Sequence, residues 1–210
     1  MKDALVPADL HQALRRATQA AHVRLNHHPL LAGLTRPGYR LATYREVLCR
    51  YAHGYAALEG RILAWLARHP GVFDYAGRRK LGWLEQDLDW FGDQPLARAP
   101  AGAVCPDIDS PGDLLGVLYP LEGATLGGQV IAPHLERHLG LTPEAGARFF
   151  AAYGADTPAR WRDFLACLAR WPAAGEEGER ACRTACATFA YLEALLDGGV
   201  AIGQPETAAG

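Results

Sequence analysis

The stretch YPLEGATLGGQVIAPH, residues 119–134, lies in a segment from about Asp113 to Leu139 whose apolar spacing is that of a helix. It carries Gly123, Gly127 and Gly128 inside, with Pro120 just before them. Each interior glycine costs a helix roughly 0.5–1 kcal/mol relative to alanine. Pro120 has no amide to donate, and its ring presses on the carbonyl of residue 116. Three physical readings compete. Gly123 and Gly127, four residues apart, would let another helix approach closely. Pro120 would kink the helix, with the glycines relieving it. Or the backbone must come close to a flat ligand, where any Cβ would collide. The local sequence leaves all three open.

Outward from this segment the spacing stays helical. Leu10, Leu14, Ala17, Ala21 and Leu25 mark a first helix, with Asp9 as its cap. A second runs from about Ala42 to Arg68 and stops before Pro70. A third covers about Gly77 to Trp90, and a Pro-, Gly- and Asp-rich loop follows. Ser110-Pro111 then starts the glycine-bearing helix. The segments TPEAGARFFAAYG and DTPARWRDFLACLARW each contain an opening Thr-Pro, which suits a helix start. A last helix follows GEEGE and ends near LLDGG. No strand run and no internal repeat is present. The expectation is all-α, one domain over residues 1–200 with about seven helices, and a frayed tail over 201–210.

At 210 residues, half of them apolar, the chain can bury one sizeable core. A net charge of −2 gives no footprint for nucleic acid or an anionic membrane surface. No apolar run reaches the length of a membrane span, and MKDALVPADLHQ lacks the apolar core of a signal peptide. Five cysteines, odd in number and without a C-x-x-C pair, favour reduced thiols and a cytoplasmic protein.

Eight histidines are the candidate chemistry. His11, Arg15, Thr18 and His22 share one stripe of the first helix, beside the apolar one. Arg15 and His22 are two turns apart, roughly 10 Å along the axis. That span suits a ligand gripped at its centre and acidic at its edge. It equally suits a packing histidine with a solvated arginine. His134 and His138 are one turn apart but lack a third metal ligand, so exposed positions near a helix end are the default. His27 and His28 fall in a turn before Pro29, and His69 caps the second helix.

ATQAAH at 17–22, followed by LEGATLGGQVI at 121–131, resembles the heme oxygenase family, most closely its bacterial, bacteriophytochrome-associated type. The resemblance implies oxidative cleavage of heme to biliverdin with release of CO and iron. Heme would be both substrate and cofactor, O₂ a co-substrate, and a ferredoxin or reductase the electron donor. A bacteriophytochrome would receive the biliverdin. It implies His22 as the heme-iron ligand and Arg15 as a propionate partner on the Thr18 stripe. Gly123, Gly127 and Gly128 would be the glycines of the helix crossing the open heme face. Tyr119 lies near a family tyrosine that meets a propionate. Arg160 and Arg162 lie where further propionate-binding residues are expected. Two departures stand out. Ala124 occupies the place where many members carry Asp, so Thr125, Gln129 or ordered water would have to organise the distal side. Gln19 replaces a second basic residue. The competing reading is a heme carrier or sensor that keeps the fold and not the reaction.

Overall fold

The computed structural model describes residues 9–197. Among these are seven α-helices and two short 3₁₀ turns, with isolated bridges but no strand. They are α1 (Leu10–Asn26), α2 (Leu41–Arg68), α3 (Leu81–Phe91), α4 (Pro111–Leu139), α5 (Arg148–Ala151), α6 (Thr157–Leu168) and α7 (Glu176–Asp197). The expected tail, 201–210, lies outside the described residues. No helix among them is long and apolar enough to cross a membrane.

Local chemistry sets most helix ends where the sequence places them. Asp9 accepts from the Gln12 amide at 2.7 Å and starts α1. Ser110 and Asp113 form a reciprocal capping box at the head of α4, with Pro111 in its first turn. His69 ends α2 with its ring on Trp65, centroids 4.0 Å apart, and its Nδ1 2.9 Å from the Trp65 carbonyl.

Two ends differ from expectation. The third helix begins at Leu81 rather than near Gly77, because a 3₁₀ turn at Ala76–Arg78 precedes it. The Glu59 carboxylate of α2 accepts from the Lys80 and Leu81 amides, which fixes the start. Thr142-Pro143 starts no long helix. The Thr142 carbonyl takes the Ala145 and Ala147 amides in a tight turn, and Gly146 sits at φ 83°. Only one helical turn, α5, follows.

The core is a single cluster of buried Leu, Tyr, Phe and Ala side chains drawn from every long helix. α4 packs most extensively on α7. The close approach comes from Gly112 and Gly116, one turn apart on α4. A Cβ there would fall 2.3 Å from the Glu177 carbonyl oxygen and 2.5 Å from that of Ala181. The small-residue seam that was one of three readings of Gly123 and Gly127 exists one stretch earlier in the same helix.

Candidate active site

α1 and α4 touch little directly, yet both line one cavity of about 950 Å³. The cavity therefore lies between them. Its volume is at the upper end of the range for small-molecule sites.

On the α1 side the sequence-derived stripe lines the cavity: His11, Arg15, Thr18, Gln19 and His22. The spacing that placed them on one face is the ordinary helical period. His22 is exposed to this space, and Phe189 of α7 props its ring edge-on at 5.9 Å. The Asn26 amide nitrogen lies 3.4 Å from His22 Nε2. Thr18 is buried, and its hydroxyl donates to the Leu14 carbonyl at 2.8 Å. Tyr119 packs with the rings of His11, at 6.2 Å, and Trp161, at 6.1 Å, which also meet each other at 5.9 Å. Burial pushes its phenol pKa up, while the Thr18 hydroxyl and the Arg15 charge pull it back.

On the α4 side the three glycines separate. A Cβ on Gly123 or Gly127 would meet nothing within 4 Å, so both present bare backbone to open space. Gly128 is different: a Cβ there would lie 2.3 Å from the Phe150 carbonyl oxygen. It is glycine so that the turn carrying Phe149 and Phe150 can close against α4. Ala124, also on the cavity wall, brings no polar atom beyond its backbone. Thr125 is buried and lines the cavity, but its hydroxyl hydrogen goes to the Glu122 carbonyl at 2.6 Å. Gln129 is exposed, is not among the lining residues, and reaches the Gly154 carbonyl at 3.4 Å.

Arg160 and Arg162 are not brought to the cavity. Trp161, between them, lines it instead. The Arg160 guanidinium lies 5.6 Å from the Tyr153 ring, and Arg162 is exposed. His27 and His28 are engaged elsewhere, with the Val23 carbonyl and with Asp197. The rings of His134 and His138 are 5.8 Å apart. No group of three metal-ligating side chains exists among the described residues.

Sequence reasoning missed the remaining walls. Tyr51 and Tyr55 of α2, Lys80 and Trp83 near the start of α3, and Phe149 and Phe150 of α5 all line the cavity. The tyrosines, four apart on one helical face, were visible as a pair. Lys80 was not, because a lysine in the run GRRK reads as solvated.

The lining fits an iron porphyrin. Two histidines, His11 and His22, line the cavity, Arg15 stands two turns from His22 along the same helix, and α4 offers a surface where side chains would otherwise fill the space. A single protein ligand suffices for a metal whose other in-plane donors come from a macrocycle.

Comparison with known proteins agrees. The heme oxygenase family model matches residues 8–197. A heme oxygenase of Xanthomonas campestris pv. campestris (strain 8004) is 34% identical over 155 residues, covering 73% of this chain and 88% of that protein. Among solved structures, the NO- and CO-bound heme oxygenase of Neisseria meningitidis superposes with a TM-score of 0.74 at 21% identity, over 96% of this chain and 98% of that one. Heme oxygenase-1 of the cyanobacterium Synechocystis sp. PCC6803, in complex with heme, gives 0.72 at 18% identity, over 90% and 91%. These two show the shared fold. With the family model spanning all the described residues, this chain belongs to the heme oxygenase family.

Proposed function

We propose that this protein opens heme oxidatively to biliverdin, releasing CO and iron, and that His22 would hold the heme iron. The observation that carries the reading is one cavity with His22 on its α1 side and the bare backbone of Gly123 and Gly127 on its α4 side. Bound heme supplies the iron that activates O₂ and is itself the molecule attacked. The chain's own residues do the rest. His22 offers its imidazole to the ligand, with the Asn26 amide near both ring nitrogens and Phe189 limiting ring rotation. Arg15, with Tyr119 beside it, offers a cation and a phenol to acidic substituents at the ligand's edge. Gly123 and Gly127 leave room above the ligand for O₂. The aromatic walls at Tyr51, Tyr55, Phe149 and Phe150 keep bulk water from the far side.

Electrons come from a separate donor, a ferredoxin or a reductase, because the chain has no flavin or nicotinamide fingerprint. Supply of biliverdin to a bacteriophytochrome rests on the sequence resemblance alone.

The assignment of His22 is tested by heme titration of His22→Ala. The variant should lose the histidine-ligated absorption spectrum and recover it with added imidazole. An unchanged spectrum would move the ligand to His11, the other histidine on the cavity wall.

A further inference from the structure

No Asp or Glu is among the described residues that line the cavity, and its two basic side chains are Arg15 and Lys80; burial pulls the Lys80 ammonium's pKa down, against the opposing pull of the Glu122 carboxylate. Arg15 belongs to the ligand's edge. Lys80 has no role in the chemistry above, and its setting is costly. Its side chain is 1% exposed. The ammonium donates to Glu122 Oε1 at 2.7 Å, the Arg78 carbonyl at 2.9 Å and the Tyr153 hydroxyl at 3.0 Å, which uses all three hydrogens. Arg78 shares the same carboxylate, with Nη1 2.7 Å from Glu122 Oε2. Arg79 lies 3.4 Å from the neighbouring Glu59 carboxylate. Two buried cations thus face Glu122, while Arg79, which meets Glu59, is half exposed; the buried charges of Lys80 and Arg78 cancel those of Glu122 and Glu59, and without Lys80 the interior would keep one net negative charge. Buried ion clusters of this kind are seldom the cheapest way to fill a core.

The cluster is joined to α4 through Glu122, the residue immediately before Gly123. It therefore belongs to the cavity side away from His22. Tyr51 and Tyr55 line the same cavity and are 7% and 1% exposed. Two phenolic donors and a fixed charge stand where Ala124 supplies no carboxylate.

We infer that Lys80 is a positioning residue: it cancels the carboxylate charge behind the α4 wall and so lets an anionic ligand bind on the heme face opposite His22. This rests on the heme reading above. The ammonium does not reach the ligand, since its hydrogens are committed. It acts through its field, which the low polarity of the walls leaves weakly screened, and Tyr51 and Tyr55 donate the hydrogen bonds.

The test compares a charged with a neutral probe on the heme complex of the full chain. Azide is titrated against the ferric complex and CO against the ferrous one. Lys80→Gln, which keeps a neutral hydrogen-bond donor on the side of Glu122 and Tyr153, and Lys80→Met should each weaken azide roughly tenfold. CO affinity should stay within about twofold, because a neutral ligand gains nothing from the field. Lys80→Arg should restore azide binding. Unchanged azide affinity, or equal weakening of azide and CO, would overturn the inference. So would loss of heme binding in both variants, which would make Lys80 purely structural. A wild-type chain that takes up no heme shows no Soret band before any titration begins, and that failure belongs to the heme reading.

Discussion

At the scale of single residues, the three glycines of α4 look alike in sequence and do different things. Gly127 faces open space, whereas Gly128 lies under the Phe150 carbonyl. Gly127→Ala should therefore leave the apoprotein as stable or add up to about 1 kcal/mol from helix propensity. Gly128→Ala forces a backbone shift and should cost roughly 1–3 kcal/mol. Urea unfolding of the two apoproteins checks this, and equal destabilisation would mean that Gly127 is also a packing position. The sequence showed that the glycines had a purpose, and the family resemblance assigned them to a heme face. It could not show that a carbonyl 22 residues downstream covers one of them. Arg15, Thr18 and His22 were legible because helical spacing alone puts them on one face. Arg160 and Arg162 were not, because a register one residue different turns Trp161 inward.

At the scale of elements, helix ends with local caps were legible and those fixed from a distance were not. Asp9 and Ser110 act within their own turn. α5 depends on Asp87 of α3, whose carboxylate accepts from the Arg148 amide at 2.7 Å and the Phe149 amide at 2.8 Å. That bond holds the turn whose two phenylalanines close the cavity. Burial pushes the Asp87 carboxyl up to about 6, against the pull of those two amides. Asp87→Ala should cost roughly 2–4 kcal/mol by orphaning both donors. The sign of its pH dependence follows from a folded-state value above the unfolded one. Asp87's advantage is full at pH below about 4 and declines as the pH rises through about 6. Unfolding free energies of wild type and variant should therefore converge from pH 4 to 7, whereas a gap that widens with pH would show that the carboxylate–amide bonds outweigh burial.

At the scale of the whole molecule, helical periodicity was enough for the all-α architecture, while the cavity's far wall depends on meetings between distant segments. Lys80 and Glu122 are 42 positions apart, and Tyr153 lies 31 beyond Glu122. Nothing local in GRRK or LEGA announces that pairing. The Gly112/Gly116 seam against α7 was missed for the same reason, since the partner carbonyls lie at Glu177 and Ala181. What these packings produce is a cavity with His22 exposed to it and His11 on the same wall, a bare helical backbone, and no carboxylate among the described lining residues. The decisive measurement is a single-turnover assay: the reduced heme complex is mixed with O₂ and an electron donor and followed by absorption and chromatography. Loss of the Soret band with formation of biliverdin is the expected result. A stable oxy or ferric complex that yields no bilin would contradict heme cleavage and make this chain a carrier of heme.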